Sequence, residues 1–387
     1  MTLQSSGNPI SFSQIRAEFG DGTNTATSPV RLGKYRRDDD EFTNEDLGSL
    51  SGLPLDTGVP TSVSAGSSSI ATSNFYGKKL NVVVNYHTSN ENRPEDARSR
   101  YNASATSIGN ATNKWNVVGG YKNPPSNTSG TKVMINVNKE IGSVRGTSNT
   151  GERNKVALRT GSSWTAGTTL QIDIGSSGRI QGGGGDGGAA GSTSGNTPDV
   201  GNTGSSGLGV EYAAQINNSG IIRCGYGGGG GGSGGSSDPN KSTTDFGRTG
   251  GGGGGGAGIP FGLGAIGFTP ADSGSSFTGG DKNVPNGGSG SNGTKDSGGT
   301  GGAGSGPTGG AEGGAGGNGA DQVDTAATAG GDGSGGGRGY DDSESGSGGG
   351  ANGFGIIFSN STIQSNSTGN VTLDAANGGV SNSAGIG

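Results

Sequence analysis

This chain has few of the residues on which most enzyme sites and disulfide-stabilised folds depend. It contains one cysteine, Cys224, and one histidine, His87, among its 387 residues. A single cysteine excludes an intrachain disulfide, and this pair argues against a zinc site or a Cys–His nucleophile. No nucleophile elbow lies near His87, and no phosphate-binding G-x-x-x-x-G-K-[ST] motif is present. The sequence therefore does not predict an enzyme, a cofactor or a metal site.

Large apolar residues are also scarce, since only 26% of the chain is hydrophobic. The usual share is roughly 45–50% when glycine is counted with the apolar residues. No run of 18 or more apolar residues is present, so no transmembrane helix is predicted. Residues 1–7 have neither the basic nor the apolar region of a secretory signal. These features predict synthesis in a cytoplasm without membrane insertion.

Charge is divided unevenly between the two parts of the chain. Residues 1–180 hold 19 Lys and Arg against 15 Asp and Glu, whereas residues 181–387 hold 6 against 16. The second part therefore has a net charge of −10. An acidic surface repels phosphate groups, so the sequence predicts no binding to nucleic acid through this part.

Glycine is present in large excess after residue 180, where 72 of the 92 glycines lie. The tract breaks the strict Gly-X-Y period and is poor in proline, so it is not collagen. The remaining ordered arrangement is a bundle of polyglycine II helices, with three residues per turn and hydrogen bonds only between helices. Interior helices then need glycine almost throughout, and outer helices tolerate one exposed residue in three. We therefore expect a rigid polyglycine II domain over residues 181–387.

Four segments interrupt the glycine tract: 236–249, 259–285, 320–329 and 338–345. They carry nearly all of its large side chains, and exposed aromatic side chains supply contact area at low entropic cost. The alternative is that these side chains plug the ends of the bundle or pack on the preceding domain. The binding candidates are Phe246, Phe261, Leu263, Phe268, Phe277 and Tyr340.

One stretch, Gly316–Asp324, fits the calcium-binding nonapeptide G-G-x-G-x-D-x-U-x. Such sites work as tandem copies, and this chain has one clean copy. A chance match in a glycine-rich tract is the alternative interpretation, and both remain open at this point.

Residues 80–180 have the alternating apolar pattern of β-strands. Trp115 and Trp164 are suited to a core between two sheets, so a β-sandwich is expected. The pattern Ile172–Gly182 returns at Ile216–Gly225 and, more weakly, at 355–364. Each copy predicts two short strands about a turn that stack on one another. The predicted strands are centred on residues 80–86, on Val133, Ile135 and Val137, on Val156 and Leu158, and on Leu170, Ile172 and Ile174.

Residues 1–79 carry short apolar motifs on polar linkers. Ser11 and Gln14 fit a capping box at the start of a two-turn helix, and a helix that short must pack on something to be stable. A related motif lies at 69–77. We predict a segment that docks on a partner, the alternative being a satellite domain packed on its own chain. The docking candidates are Phe12, Ile15, Phe19, Phe75 and Tyr76.

Two features together resemble a known group of proteins. The opening stretch 3–15, with Asn74-Phe75-Tyr76-Gly77 downstream, resembles the N-termini of bacteriophage tail and baseplate-associated proteins. The Ile-x-Asn-x-Gly-x-Ile pattern that leads into glycine runs resembles the glycine-rich domains of phage tail fibres and tail-tip adhesins. In the adhesins of T-even-like phages, a polyglycine II sandwich displays distal loops that bind the host receptor.

This resemblance implies a mainly β virion protein of the phage tail with no catalytic residues. Its expected parts are a docking region over 1–79, a β-sandwich over 80–180 and a receptor-facing polyglycine II domain over 181–387. The expected partners are other tail or baseplate proteins, a host glycan or outer-membrane protein, and further copies of the chain, a trimer being one arrangement. The alternatives are a tail spacer without receptor contact and, less favoured, a depolymerase.

Overall fold

The structure is a computed structural model of the whole chain, and it is mainly β. It describes residues 7–14, 71–76, 82–86, 94–97, 115–117, 129, 132–148, 150–191, 197–233, 250–267, 287–304, 314–321, 346–370, 380–381 and 386.

Within these residues the chain forms strands, short 3-10 turns, helical residues at 12–14 and one α-helix that is described from end to end. The helix α1 spans Ser361–Asn366, with Asn360 as its N-cap. The 3-10 turns span Thr72–Phe75 and Glu152–Asn154. The strands are β1 (Val82–Tyr86), β2 (Glu95–Asp96), β3 (Trp115–Val117), β4 (Lys132–Val137), β5 (Glu140–Ile141), β6 (Val156–Arg159), β7 (Thr169–Ile174), β8 (Arg179–Gln181), β9 (Ser206–Val210), β10 (Ala214–Asn218), β11 (Ile221–Arg223), β12 (Ile356–Phe358), β13 (Thr368–Gly369) and β14 (Val380–Ser381).

The strands form a three-sided coil, which we call the β-coil. Sheet 1 has the order β13-β10-β7-β4-β1-β3, sheet 2 the order β11-β8-β5, and sheet 3 the order β14-β12-β9-β6-β2. Each complete turn of the coil passes from sheet 1 to sheet 2 to sheet 3, as in β4–β5–β6, β7–β8–β9 and β10–β11–β12. This is the architecture of a parallel β-helix, in which each turn packs on its neighbours.

Stacked apolar side chains fill the interior of the β-coil. In sheet 1 the register aligns Val84, Ile135, Ile172 and Ile216 in one row across β1, β4, β7 and β10. Equivalent rows come from sheets 2 and 3, and all three sheets contribute to one buried cluster that also holds Trp164. The side-chain alternation of a strand places these residues inside and their polar neighbours outside.

The predicted strands are present, but the predicted β-sandwich is wrong in its architecture. Every strand pair in the described residues is parallel except β1 with β3. The sheets also take strands from both sides of residue 180. Apolar alternation shows that one face of a strand is buried, and it carries no information about the direction of the partner strand.

The repeated pattern at Ile172–Gly182 and Ile216–Gly225 corresponds to equivalent parts of adjacent turns. Ile172 pairs with Ile216 in sheet 1, and Ile180 pairs with Ile222 in sheet 2. The predicted stacking of these two copies is therefore confirmed. The weaker copy at 355–364 differs, because it contains β12 of sheet 3 followed by α1.

The glycine-rich segments enter the β-coil at one corner, between sheet 2 and sheet 3. The chain between β5 and β6, between β8 and β9, and between β11 and β12 leaves the coil there and returns to it. The segments lie side by side as a second body, which we call the glycine bundle. Its described segments are 142–148, 182–191, 197–205, 224–233, 250–258, 260–267, 287–294, 297–304, 314–321 and 346–354.

Hydrogen bonds in the bundle run between segments and repeat every three residues. The N–H groups of Gly251, Gly252 and Gly253 donate to backbone carbonyls of three different segments, which are 314–321, 287–294 and 182–191 respectively. The N–H groups of the next three residues donate to the same three segments in the same order. The backbone carbonyls of 250–258 accept hydrogen bonds from N–H groups of three further segments, 224–233, 260–267 and 297–304. Segment 250–258 thus has six hydrogen-bonded neighbours and lies at the centre of the bundle. It contains the longest glycine run, Gly250–Gly256.

Side chains in the outer segments follow the same period. In 297–304, Ser297, Thr300 and Ala303 are exposed, while Gly299 and Gly302 are buried. An outer segment therefore tolerates one side chain in three, as the sequence analysis expected, because only one of its three faces points away from other segments.

Candidate binding surface

The end of the bundle remote from the β-coil joins four of the five connections between its segments that the structure leaves undescribed. Gly191 donates to Gly232, Gly314 donates to Ser233, and Gly288 donates to Ala303. These contacts place the ends of five segments at this end of the bundle. The connections that begin and end here are 192–196, 234–249, 268–286 and 305–313. Connection 322–345 instead follows Ala320, which donates to Gly227 at the end near the β-coil, and it precedes Ser347, which donates to Gly231 towards the remote end. All five connections lie outside the described residues.

Four of the six receptor-binding candidates fall in those connections. Phe246, Phe268, Phe277 and Tyr340 are therefore outside the described residues. Phe261 and Leu263 are described, and both are exposed, at 42% and 36%.

The interruption expected over 259–285 is in part a bundle segment. Residues 260–267 run antiparallel to 250–258, with Gly262 donating to Gly256 and Ala265 donating to Gly253. The large apolar residues of this segment made it look like an interruption of the glycine tract. It can still be a bundle segment, because glycine is needed only on the faces that meet other segments. Phe261 and Leu263 therefore lie along the side of the bundle.

At the end near the β-coil, the turn 294–297 rests on sheet 2. The Asp296 carboxylate accepts hydrogen bonds from Arg179 Nη2 at 2.5 Å and from Arg223 Nη1 at 3.1 Å. Arg179 is 6% exposed, so its charge depends on this partner because a buried unpaired charge is costly.

The neighbouring residue of the turn adds two further contacts to sheet 2. Lys295 Nζ forms an ion pair with the Glu140 carboxylate at 2.7 Å, and the Lys295 carbonyl accepts from Gln181 Nε2 at 2.8 Å. Strands β5, β8 and β11 therefore each send a side chain to this turn, which fixes the bundle to the β-coil.

Replacing Asp296 with asparagine should lower thermal stability in a pH-dependent way. The Arg179 hydrogen bond holds the pKa of the Asp296 carboxyl below its ordinary value of 3.8. A depressed carboxyl pKa stabilises the folded state above the unfolded pKa, and this advantage is lost as the pH falls through the folded value. We expect Asp296→Asn to cost about 1–2 kcal/mol at neutral pH.

Calorimetry from neutral to acidic pH checks this expectation. The difference between wild type and Asp296→Asn should shrink as the pH falls below 3.8. Asp199→Asn is the matched control, since Asp199 is exposed and forms no ion pair with another described residue. Equal effects of the two substitutions at neutral pH would contradict the role of Asp296.

A small apolar cluster lies where the bundle meets the β-coil. It contains Cys224, Tyr226, Ala257 and Ala320, all buried. Burial raises the pKa of the Cys224 thiol from 9.0 to about 12 and also raises the pKa of Tyr226. The thiol is therefore protonated at neutral pH and is not a nucleophile.

Sequence reasoning missed one set of residues that the bundle uses. Short polar side chains accept backbone N–H groups that no backbone carbonyl reaches, which avoids the cost of unpaired donors. An isolated Asp, Asn or Ser among glycines is the sequence feature that could have identified these hydrogen-bond acceptors. The pairs are Asp186 with Leu263, Ser205 with Gly183, Ser289 with Gly267, Ser291 with Thr300, Asn292 with Gly264, Asn318 with Gly301, and Asn352 with Gly227.

The glycines of the calcium-like motif form hydrogen bonds between segments of the bundle. Gly316, Gly317 and Gly319 donate to carbonyls of Gly302, Gly230 and Gly299. Among the described residues no group of three or more His, Cys, Asp or Glu side chains is arranged to hold a metal ion. Residues 322–324 of the motif lie outside the described residues.

The predicted capping box at the N-terminus is present. Ser11 N donates to Gln14 Oε1 at 2.8 Å, and Gln14 N donates to Ser11 Oγ at 3.3 Å. Phe12 is helical and 54% exposed. Ile15 and Phe19 lie outside the described residues.

Other residues of the N-terminal part are close to the β-coil or partly covered. Ile10 packs against the β-coil core. Tyr76 is half-buried after the 3-10 turn, and the side chain of Phe75 lies outside the described residues. Part of this region therefore packs on its own chain.

In the described part of the chain, no helix has the length and apolar character needed to cross a bilayer. Comparison with protein-family models, curated proteins and solved structures finds no significant match to this chain. Function is therefore inferred from the arrangement of the residues themselves.

Proposed function

We propose that this protein is a phage tail fibre or tail-tip component that attaches the particle to the host surface. The glycine bundle would be a polyglycine II array whose rigidity holds binding loops at one end. The observation that carries this proposal is the grouping of four connections, rich in non-glycine residues, at the end remote from the β-coil.

The bundle suits this role because its hydrogen-bonded segments would support the loops, and the loops alone would contact the host receptor. Its segments are tied by hydrogen bonds in three directions, so the loops between them can differ without changing their anchor points. Loops held on a rigid base lose less entropy on binding than loops on a mobile base. Several copies in one particle would convert weak contacts with a glycan or outer-membrane protein into strong attachment.

The remaining parts are assigned by the same proposal. Residues 1–79 would contact other tail or baseplate proteins, and the β-coil would place the bundle away from that contact. The protein would act by binding and without catalysis, in the virion, after synthesis in the host cytoplasm.

Replacing residues 268–286 with a three-residue Gly-Asn-Gly link should reduce adsorption to host cells at least about 100-fold. The bundle should keep its stability, because Gly267 lies directly against the Gly287 backbone and a short link spans these ends. Adsorption rates of particles that carry the variant, together with the melting temperature of the purified chain, measure the two effects.

The control is a particle with Ser297→Ala and Thr300→Ala, two exposed changes on the side of the bundle. It should adsorb as wild type does. Normal adsorption by variants in which 234–249, 268–286 and 305–313 are replaced in turn by short links would instead favour a tail spacer without receptor contact.

A further inference from the structure

Segment 260–267 forms an open edge of the glycine bundle. It pairs with 182–191, 250–258 and 287–294, whereas the central segment has six hydrogen-bonded neighbours. The N–H groups of Phe261 and Ile266 find no hydrogen-bond partner among the described residues. This edge therefore offers free backbone groups to another molecule.

Its side chains differ from those of the other outer segments. Phe261, Leu263 and Ile266 are large, apolar and exposed, and Ile266 is 72% exposed. The outward residues of 297–304 are instead Ser297, Thr300 and Ala303. Three large exposed apolar side chains on one eight-residue segment are a feature of interaction surfaces.

The edge is self-complementary in its hydrogen bonding. Besides its free donors, it has free acceptors, namely the carbonyls of Phe261, Gly264 and Ile266 in the described part of the chain. Within the bundle, 260–267 already pairs with an antiparallel segment, 250–258. A copy related by a twofold axis perpendicular to the segment is also antiparallel, so donors of one copy can meet acceptors of the other.

Charge does not oppose such a contact, although each chain carries a net charge of −6. Segments 260–267 and 287–294 contain no charged residue. The Asp186 carboxylate, which accepts a hydrogen bond from Leu263 N, is paired with Arg145 at 2.9 Å. Two copies can therefore approach at this edge without like-charge repulsion.

We propose that two copies of this chain associate through segment 260–267, antiparallel about a twofold axis near Leu263 and Gly264. Phe261, Leu263 and Ile266 of one copy pack against the same residues of the other. An eight-residue edge is smaller than a standard interface, so the dissociation constant should lie in the micromolar range or above. The proposal does not depend on the attachment function.

Sedimentation equilibrium of the full chain tests the contact. Wild type should dimerise at concentrations up to about 200 μM, and Leu263→Ser with Ile266→Ser should raise the dissociation constant at least about tenfold. Val200→Ser is the matched control, because Val200 is 43% exposed on the bundle but lies outside the edge. A monomeric wild type, or a dimer unaffected by the double substitution, would overturn the proposal.

Cysteine trapping tests the antiparallel arrangement. Native Cys224 is buried, so an introduced surface cysteine is the reactive thiol. Leu263→Cys, near the twofold axis, should form a disulfide-linked dimer under mild oxidation, and Thr300→Cys should not. Equal dimer yields from both variants would overturn the arrangement, and unchanged melting temperatures would show that both variants fold.

Discussion

Replacing Gly253 with alanine is expected to destabilise the glycine bundle by about 4 kcal/mol or more. An ideal Cβ on Gly253 would lie 2.1 Å from the carbonyl oxygen of Gly229, and the nearby backbone of Gly188 leaves no room on that side. The obstacle is backbone held by hydrogen bonds on both sides, so no side chain can rotate away. The methyl group fits only if whole segments separate, which breaks the hydrogen bonds that order them.

Calorimetry and hydrogen exchange should measure this effect. We expect a fall in melting temperature of about 8 °C or more and a loss of protection for amides of segment 250–258. The matched control is Gly348→Ala, because an ideal Cβ there meets nothing within 4 Å. That variant should remain within about 0.5 kcal/mol of wild type. Similar stability for the two variants would contradict close packing at the centre.

Shortening Ile172 to alanine is expected to cost about 2–5 kcal/mol. Ile172 is fully buried in the row formed with Ile135 and Ile216 on the adjacent strands. Its loss would leave a cavity between turns, and the hydrogen bonds of β7 to both neighbours prevent the strands from closing it. Fluorescence of Trp164, which lies in the same core, should report the earlier unfolding in denaturant.

Thr169→Ala is the control for this change because Thr169 is exposed on the same strand. It should change the free energy of unfolding by no more than about 0.5 kcal/mol. If both substitutions gave the same small effect, the row of aliphatic side chains would not be the main support of the β-coil.

The edge segment 260–267 illustrates why part of the candidate site could not be predicted. The sequence identified Phe261 and Leu263 as exposed candidates, and both are exposed. It placed them in a loop, because a bundle segment with one open face looks apolar and irregular in sequence. The contacts of Asp296 with Arg179 and Arg223 had no sequence signal at all, since more than 70 residues separate Asp296 from either arginine.

The sequence by itself determined which residues can pack. Alternation in β4 and β7 gives buried faces, and the unbroken run Gly250–Gly256 permits close approach on all sides of one segment. Only the tertiary structure decided where these elements lie. Parallel pairing joined strands from both sides of residue 180 into one β-coil, and hydrogen bonds between distant segments placed the longest glycine run at the centre of the bundle. Local sequence limits steric approach and burial, whereas direction of pairing and choice of neighbour depend on contacts between residues far apart in the chain.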